Sequence, residues 1–249
     1  MVGPLNDFST TLTTPKQDKN PLNISGGNSN LKLAFKPFHF EPPKEKTPEE
    51  ILYENRTLAI KSVIEEDPET PKDVDTTKLA NMIMQTGKET GVEPLVIACI
   101  CKKETHFDQG KNVSSGKGIM QITSIVTEDM FQRFQLYEPK TKVLIEKYGS
   151  LEKAFQAKKK NPSINLGDFG EMLYKYKTPE KLYAALQKDA GLNLKCGAYL
   201  MKFHLASNNG DLRKSLEDYN ATSDKHNYAK KVISYITNSK CLVKLNAYV

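Results

Sequence analysis

Apolar residues recur along this chain with a helical period and almost never alternate with polar ones. Alternating β-branched runs are nearly absent, so little of the chain suits a half-buried strand. The helical signals begin at TPEE: Thr47 can cap, Pro48 suits the first helical position and Glu50 completes a capping box. From there Ile51, Leu52, Leu58, Ala59 and Ile64 fit one apolar stripe as far as Pro68. A second helix is predicted from about Asp75 to Gly91, burying Leu79, Ala80, Ile83 and Met84. A third starts with Pro94, buries Leu95, Ala98, Cys99 and the aliphatic stem of Lys102, and reaches Glu104. Residues 124–178 read as short helices (VLIEKY, LEKAFQAKK, FGEMLYKY) broken at Pro139, Pro162 and Gly167. From Thr178 four further helical stretches follow, ending with DLRKSLEDY and DKHNYAKKVISYI. The fold class is all-α.

Before this periodic region the composition changes. Residues 1–46 are rich in Asn, Ser, Thr, Pro, Gly and Lys, with no sustained apolar period, and read as a disordered tail or linker. LKLAFKPFHF (31–40) is the exception; its Phe35, Phe38 and Phe40 suit loose packing onto the domain better than a partner motif. Residues 47–249 are then one helical domain. Hydrophobic residues are 38% of the chain, enough for one sizeable core but lean for 249 residues.

Charge and cysteine usage exclude several functions. The formal net charge of +6 favours anionic surfaces generally, but no arginine-rich patch interleaved with aromatics points to nucleic acid. Cys99, Cys101, Cys196 and Cys241 form no paired CxxC framework, and no histidine cluster completes a zinc site; buried thiols are expected, with a Cys196–Cys99 bridge left open. No stretch approaches the ~20 apolar residues of a membrane span. The start, MVGPLNDFSTTLTTPK, lacks the basic and apolar regions of a signal peptide.

One stretch carries chemistry. The apolar run PLVIACIC ends in Glu104 and passes into a glycine- and serine-rich loop, which closes on a second apolar segment, GIMQI. That pins Glu104 between two buried elements instead of leaving it in open water. In order, the chain carries GVEPLVIACICKKETHF, SSGKGIMQIT, NLKCGAYL, LEDYNA and YAKKV. This ordered set resembles the lytic transglycosylase (SLT) domain of the lysozyme-like superfamily, over roughly residues 76–238 with a long middle segment omitted.

The resemblance implies a lysozyme-like helical domain that cleaves the MurNAc–GlcNAc β-1,4 bond of peptidoglycan and leaves a 1,6-anhydro product. Glu104 would be the general acid and then the base, with no metal or organic cofactor. Ser114 or Ser115 matches the serine that contacts the substrate acetamido group. Met120 and Gln121 match the pair that lines the cleft, with Gly118 permitting close backbone approach. Tyr219 matches the tyrosine whose hydroxyl lies near the catalytic carboxylate, Asn220 its neighbour, and Tyr228 the later groove tyrosine. Asn193, Gly197 and Tyr199 match a motif that packs a helix behind the site. The implied partner is the peptidoglycan glycan strand, and the implied location is the cell envelope or the exterior.

The chain departs from the pattern in several places. Thr105 stands for the usual Ser, Gly116 for Ala and Thr222 for Gly; the loop from Glu104 to Gln121 is one residue short, so which serine faces substrate stays open. The altered turn at Thr222 implies a different backbone there, and the long 124–190 segment a lobe over the groove. Tyr199 and Phe203 read as core, and His106 and His226 as surface residues. Two rivals stand beside the lyase. A lysozyme-type hydrolase would use water in place of the C6 hydroxyl, with Asp108, Glu128 or Asp168 as second carboxylate. A wall-binding or secretion-apparatus module would keep the groove without turnover.

Overall fold

A computed structural model describes residues 46–111, 115–138, 141–220 and 222–238. The tail reading for residues 1–45, the aromatic cluster at 35–40, Ser114 and Cys241 lie outside these. Among the described residues the chain is all-helical, with twelve helices and no strand.

α1 (Pro48–Glu65) starts as its sequence dictates: the Thr47 side chain accepts from the Glu50 N–H while the Glu50 carboxylate accepts from the Thr47 N–H. Its apolar stripe is shorter than the periodicity suggests. Ala59, Ile60, Val63 and Ile64 are buried, whereas Ile51, Leu52 and Leu58 are 46%, 49% and 60% exposed. α2 (Thr76–Thr90) matches its prediction, capped by Asp75 and stopped by Gly91 at φ 79°.

α3 (Pro94–Thr105) departs from the one-sided pattern. Every residue from Pro94 to Cys101 is buried, so it is the central helix and not a surface one. α1, α2, α10 (Ala190–Ser207) and α12 (Lys225–Asn238) surround it. α10 is nearly as enclosed, from Leu192 to Met201, and Asp189 caps it through the Leu192 N–H at 2.9 Å. α11 (Leu212–Asn220) bridges α10 and α12.

Between them the long middle segment forms α4 (Ser124–Gln132), α5 (Phe134–Tyr137), α6 (Lys142–Tyr148), α7 (Leu151–Lys160), α8 (Gly167–Tyr176) and α9 (Pro179–Leu186). The short-helix reading therefore holds. Rings join this segment to α10: Tyr137 stacks on Phe169 and Phe203 at 5.6 and 5.0 Å, and Phe169 meets Tyr199 at 4.6 Å. Tyr199 is core, as expected. Cys99, Cys101 and Cys196 are buried thiols, so the Cys196–Cys99 bridge is not formed. Among the described residues no helix is long and apolar enough to cross a membrane.

Candidate active site

The site begins where the core helix runs out. α3 keeps its apolar residues enclosed on all sides up to Cys101, and Glu104 falls in its last turn, part-buried beneath α12. Its Oε1 accepts a hydrogen bond from the Tyr228 hydroxyl at 2.6 Å. Burial pushes the Glu104 carboxyl up from its ordinary range; the Tyr228 hydroxyl and the Lys103 ammonium, which favour the carboxylate, oppose this in part. Lys103 also stands over the Tyr228 ring, 5.4 Å from its centroid. Burial and the Glu104 charge hold the Tyr228 hydroxyl well above the usual phenol range, so it remains a donor.

Both site tyrosines lie near Glu104, and the Glu104 charge acts on both hydroxyls, but only one of them bonds it. Tyr219, expected beside the carboxylate, donates its hydroxyl to the Met120 carbonyl at 3.0 Å. Tyr228 makes the contact to Glu104 instead. Their rings lie nearly parallel, 13° apart with centroids separated by 6.4 Å, so α11 and α12 present them as a pair.

Met120 is likewise not the cleft residue expected; it is fully buried. Its N–H donates to Asn193 Oδ1 at 2.8 Å and its carbonyl accepts from Tyr219, so both backbone groups are held. Asn193 also donates Nδ2 to the Lys117 carbonyl at 2.7 Å. A Cβ on Gly118, at φ 67°, would lie 2.5 Å from Asn193 Nδ2, and one on Gly197 2.3 Å from Met120 Sδ. The NLKCG stretch thus packs behind the site, as expected, and Asn193 clamps the loop as well. A polar residue at an apolar-periodic position of α10 was the available signal.

The rest of the loop is tied down from within. Gln121 holds a left-handed backbone at φ 50°, and its Nε2 bonds the Lys111 and Gly118 carbonyls at 2.8 and 2.7 Å. It braces the loop through that amide. Gly116, where the resembling pattern has Ala, has no room for one: a Cβ would lie 2.5 Å from Gln121 Oε1. An antiparallel bridge joins Lys117 and Ile122. The Ser115 carbonyl accepts from the Tyr183 hydroxyl at 2.6 Å, and Gln109 ties the Ile119 N–H to the Leu186 and Gln187 carbonyls. Neither Tyr183 nor Gln109 was marked by its sequence context. Thr105, in place of Ser, donates to the Ile119 carbonyl at 3.0 Å.

Asn220 turns into the α11–α12 connection, where its Oδ1 accepts from the Thr222 N–H and hydroxyl. Asp108 accepts from the Gly110 N–H, while Glu128 and Asp168 are exposed on α4 and α8; none of the three is hydrogen-bonded to Glu104. His226 is a surface residue beside Glu217, but His106, expected at the surface, is partly buried against Asp67.

A cleft of about 760 Å³ is walled by Phe107, Gln109, Ile119, Lys78, Met82 and Asp189. Glu104 and Tyr228 do not line it, so its size says nothing about the carboxyl's chemistry. No group of three or more His, Cys, Asp or Glu among the described residues could hold a metal ion. Comparisons of the chain with protein-family models, curated proteins and solved structures return no match.

Proposed function

We propose that the chain is a peptidoglycan lytic transglycosylase built on a lysozyme-like helical domain, with Glu104 as its general acid and base. The observation that carries this reading is the Glu104–Tyr228 pair: a carboxyl at the end of the core helix, raised by burial and held by one buried hydroxyl. A raised carboxyl is protonated closer to neutral pH, which is what a general acid requires. The all-helical frame and the glycine loop clamped beside that carboxyl fit the same reading.

The chemistry follows from one carboxyl acting twice. Protonated Glu104 gives its proton to the glycosidic oxygen as the bond to the MurNAc anomeric carbon breaks. The acetamido oxygen of that sugar supports the developing positive charge, as in substrate-assisted glycosidases. Glu104, now a carboxylate, takes the proton of the C6 hydroxyl, whose oxygen closes on the anomeric carbon. Tyr228 donates to the carboxylate between the two transfers and Lys103 adds a nearby positive charge, so the charged form is stabilised when it is needed.

Of the three carboxylates a hydrolase could recruit, Glu128 and Asp168 are exposed on α4 and α8 and Asp108 holds the Gly110 N–H, and we favour the lyase over a hydrolase that activates water. The remaining proposals follow from the substrate: the partner is the glycan strand, to which a net charge of +6 is suited, and the location is the cell envelope or the exterior. Ser114 or Ser115, the latter exposed at the loop, would contact the acetamido group. Mass spectrometry of digested sacculi tests the reading. Anhydro-muropeptides are expected; reducing-end muropeptides would replace the lyase with a hydrolase, and an absence of products would leave a binding module.

A further inference from the structure

Among the described residues Asp67 is the only charged side chain that is buried, at 2% exposure. A carboxylate taken from water is costly unless it is paired and hydrogen-bonded. The partner of Asp67 is thirty-nine positions away. His106 Nδ1 lies 3.0 Å from Asp67 Oδ2 and 3.3 Å from Oδ1, and the Glu69 N–H also donates to Oδ1 at 3.3 Å. The other imidazole nitrogen, Nε2, lies 3.4 Å from Glu69 Oε2. Both ring nitrogens therefore face carboxylates.

His106 occupies an unusual backbone position. It is the C-cap of α3, two residues after Glu104, at φ 55° and ψ 41°, and Phe107 follows at φ 66°. Two consecutive left-handed residues, neither of them glycine, are unfavourable for the chain locally and persist only where the surroundings impose them. Phe107 is fixed by burial, and Thr105 by its bonds to the Cys101 and Ile119 carbonyls. His106 is fixed by Asp67, whose own turn is tied to α1 through Thr70 Oγ1 and the Ile64 carbonyl at 2.8 Å.

We propose that Asp67 and His106 are positioning residues for Glu104: the Asp67 carboxylate grips the imidazole, imposes the left-handed turn that ends α3, and so holds the Glu104 carboxyl against the Tyr228 hydroxyl. The functional consequence rests on the reading of Glu104 as acid and base; the geometric consequence does not. The test uses both. His106→Ala removes the imidazole and leaves a residue that disfavours the left-handed backbone, whereas His106→Asn keeps an amide donor near the Nδ1 position on a residue that tolerates it.

Carboxyl-labelled glutamate NMR follows the titration of Glu104, melting curves report folding, and sacculus digestion gives kcat and KM. In H106A the turn is lost and the carboxyl swings toward water, so its titration moves back toward the ordinary carboxylate range. kcat falls roughly 10- to 100-fold with KM little changed, since misplacing a catalytic group by about 1 Å costs up to that order. H106N recovers most of both. Should H106A not fold, Asp67→Ala, which leaves the imidazole without its anchor, is read for the same displaced titration. A parent-like Glu104 titration in H106A, or in D67A where that variant is read, overturns the proposal, as does an H106N that behaves like H106A. A parent that releases no muropeptides overturns the acid–base reading instead, while the titration still decides the positioning.

Discussion

Replacing Tyr228 by Phe removes one hydroxyl and leaves the ring that lies beneath Lys103 and beside Tyr219. The lost interaction is the 2.6 Å bond to Glu104 Oε1, part-buried and made to a group that must carry charge during turnover. Hydrogen bonds to charged groups are worth about 1.5–3 kcal/mol, which corresponds to roughly a 10- to 150-fold loss in rate. The sign of the accompanying pH effect follows from the same bond. Tyr228 favours the carboxylate, so removing it raises the Glu104 pKa further, and the alkaline fall in kcat/KM moves to higher pH. Initial rates on purified sacculi across pH, with melting curves of both proteins, measure both effects. A Y228F enzyme working at close to the parent rate with an unmoved alkaline limb would refute the assignment of Tyr228.

Three further outcomes are expected. Tyr219→Phe leaves the buried Met120 carbonyl without its donor and should lower stability by about 1–3 kcal/mol, with a smaller rate loss than Y228F; the reverse ranking on the same sacculi would return the catalytic hydroxyl to Tyr219. Gly197→Ala drives a methyl into Met120 and should cost about 1–3 kcal/mol in chemical denaturation, whereas an unchanged midpoint would mean the loop is not packed against α10 there. Because burial raises the Glu104 carboxyl, the folded state holds that proton more tightly than the unfolded chain, and stability falls as pH rises from the ordinary carboxylate range through the raised value. The melting temperature of Glu104→Gln, which carries no such charge, should therefore gain on the parent across that window; a variant that loses ground to the parent as pH rises would contradict the burial of Glu104.

What could be read from the chain was local. Caps and period defined α2 and α3 because Asp75, Gly91 and Pro94 act within one turn of their own helix. Glu104 stood out because it ends an apolar run just before a glycine loop. Periodicity could say that Ile51 and Leu58 share a face with Ala59 and Ile64, but not that only the last two turns of α1 would be covered. Which tyrosine meets Glu104 depends on how α11 crosses α12, and neither helix encodes that crossing alone. Met120 looks like a groove residue until the missing Cβ of Gly197 makes room to bury it. The Asp67–His106 contact joins two loops thirty-nine residues apart, where no local pattern relates a carboxylate to an imidazole. Motif order located the neighbourhood of the site; the division of labour within it is set by tertiary packing.

Glu104→Gln on purified sacculi is the most direct measurement of the central claim. The amide keeps the size of the side chain and an oxygen that can accept from Tyr228, but it has no proton to give to the glycosidic oxygen. The account predicts a cooperatively folded variant that still binds sacculi and releases almost no anhydro-muropeptide, beside a parent that releases it steadily. A folded E104Q protein that releases the same products at close to the parent rate would contradict it.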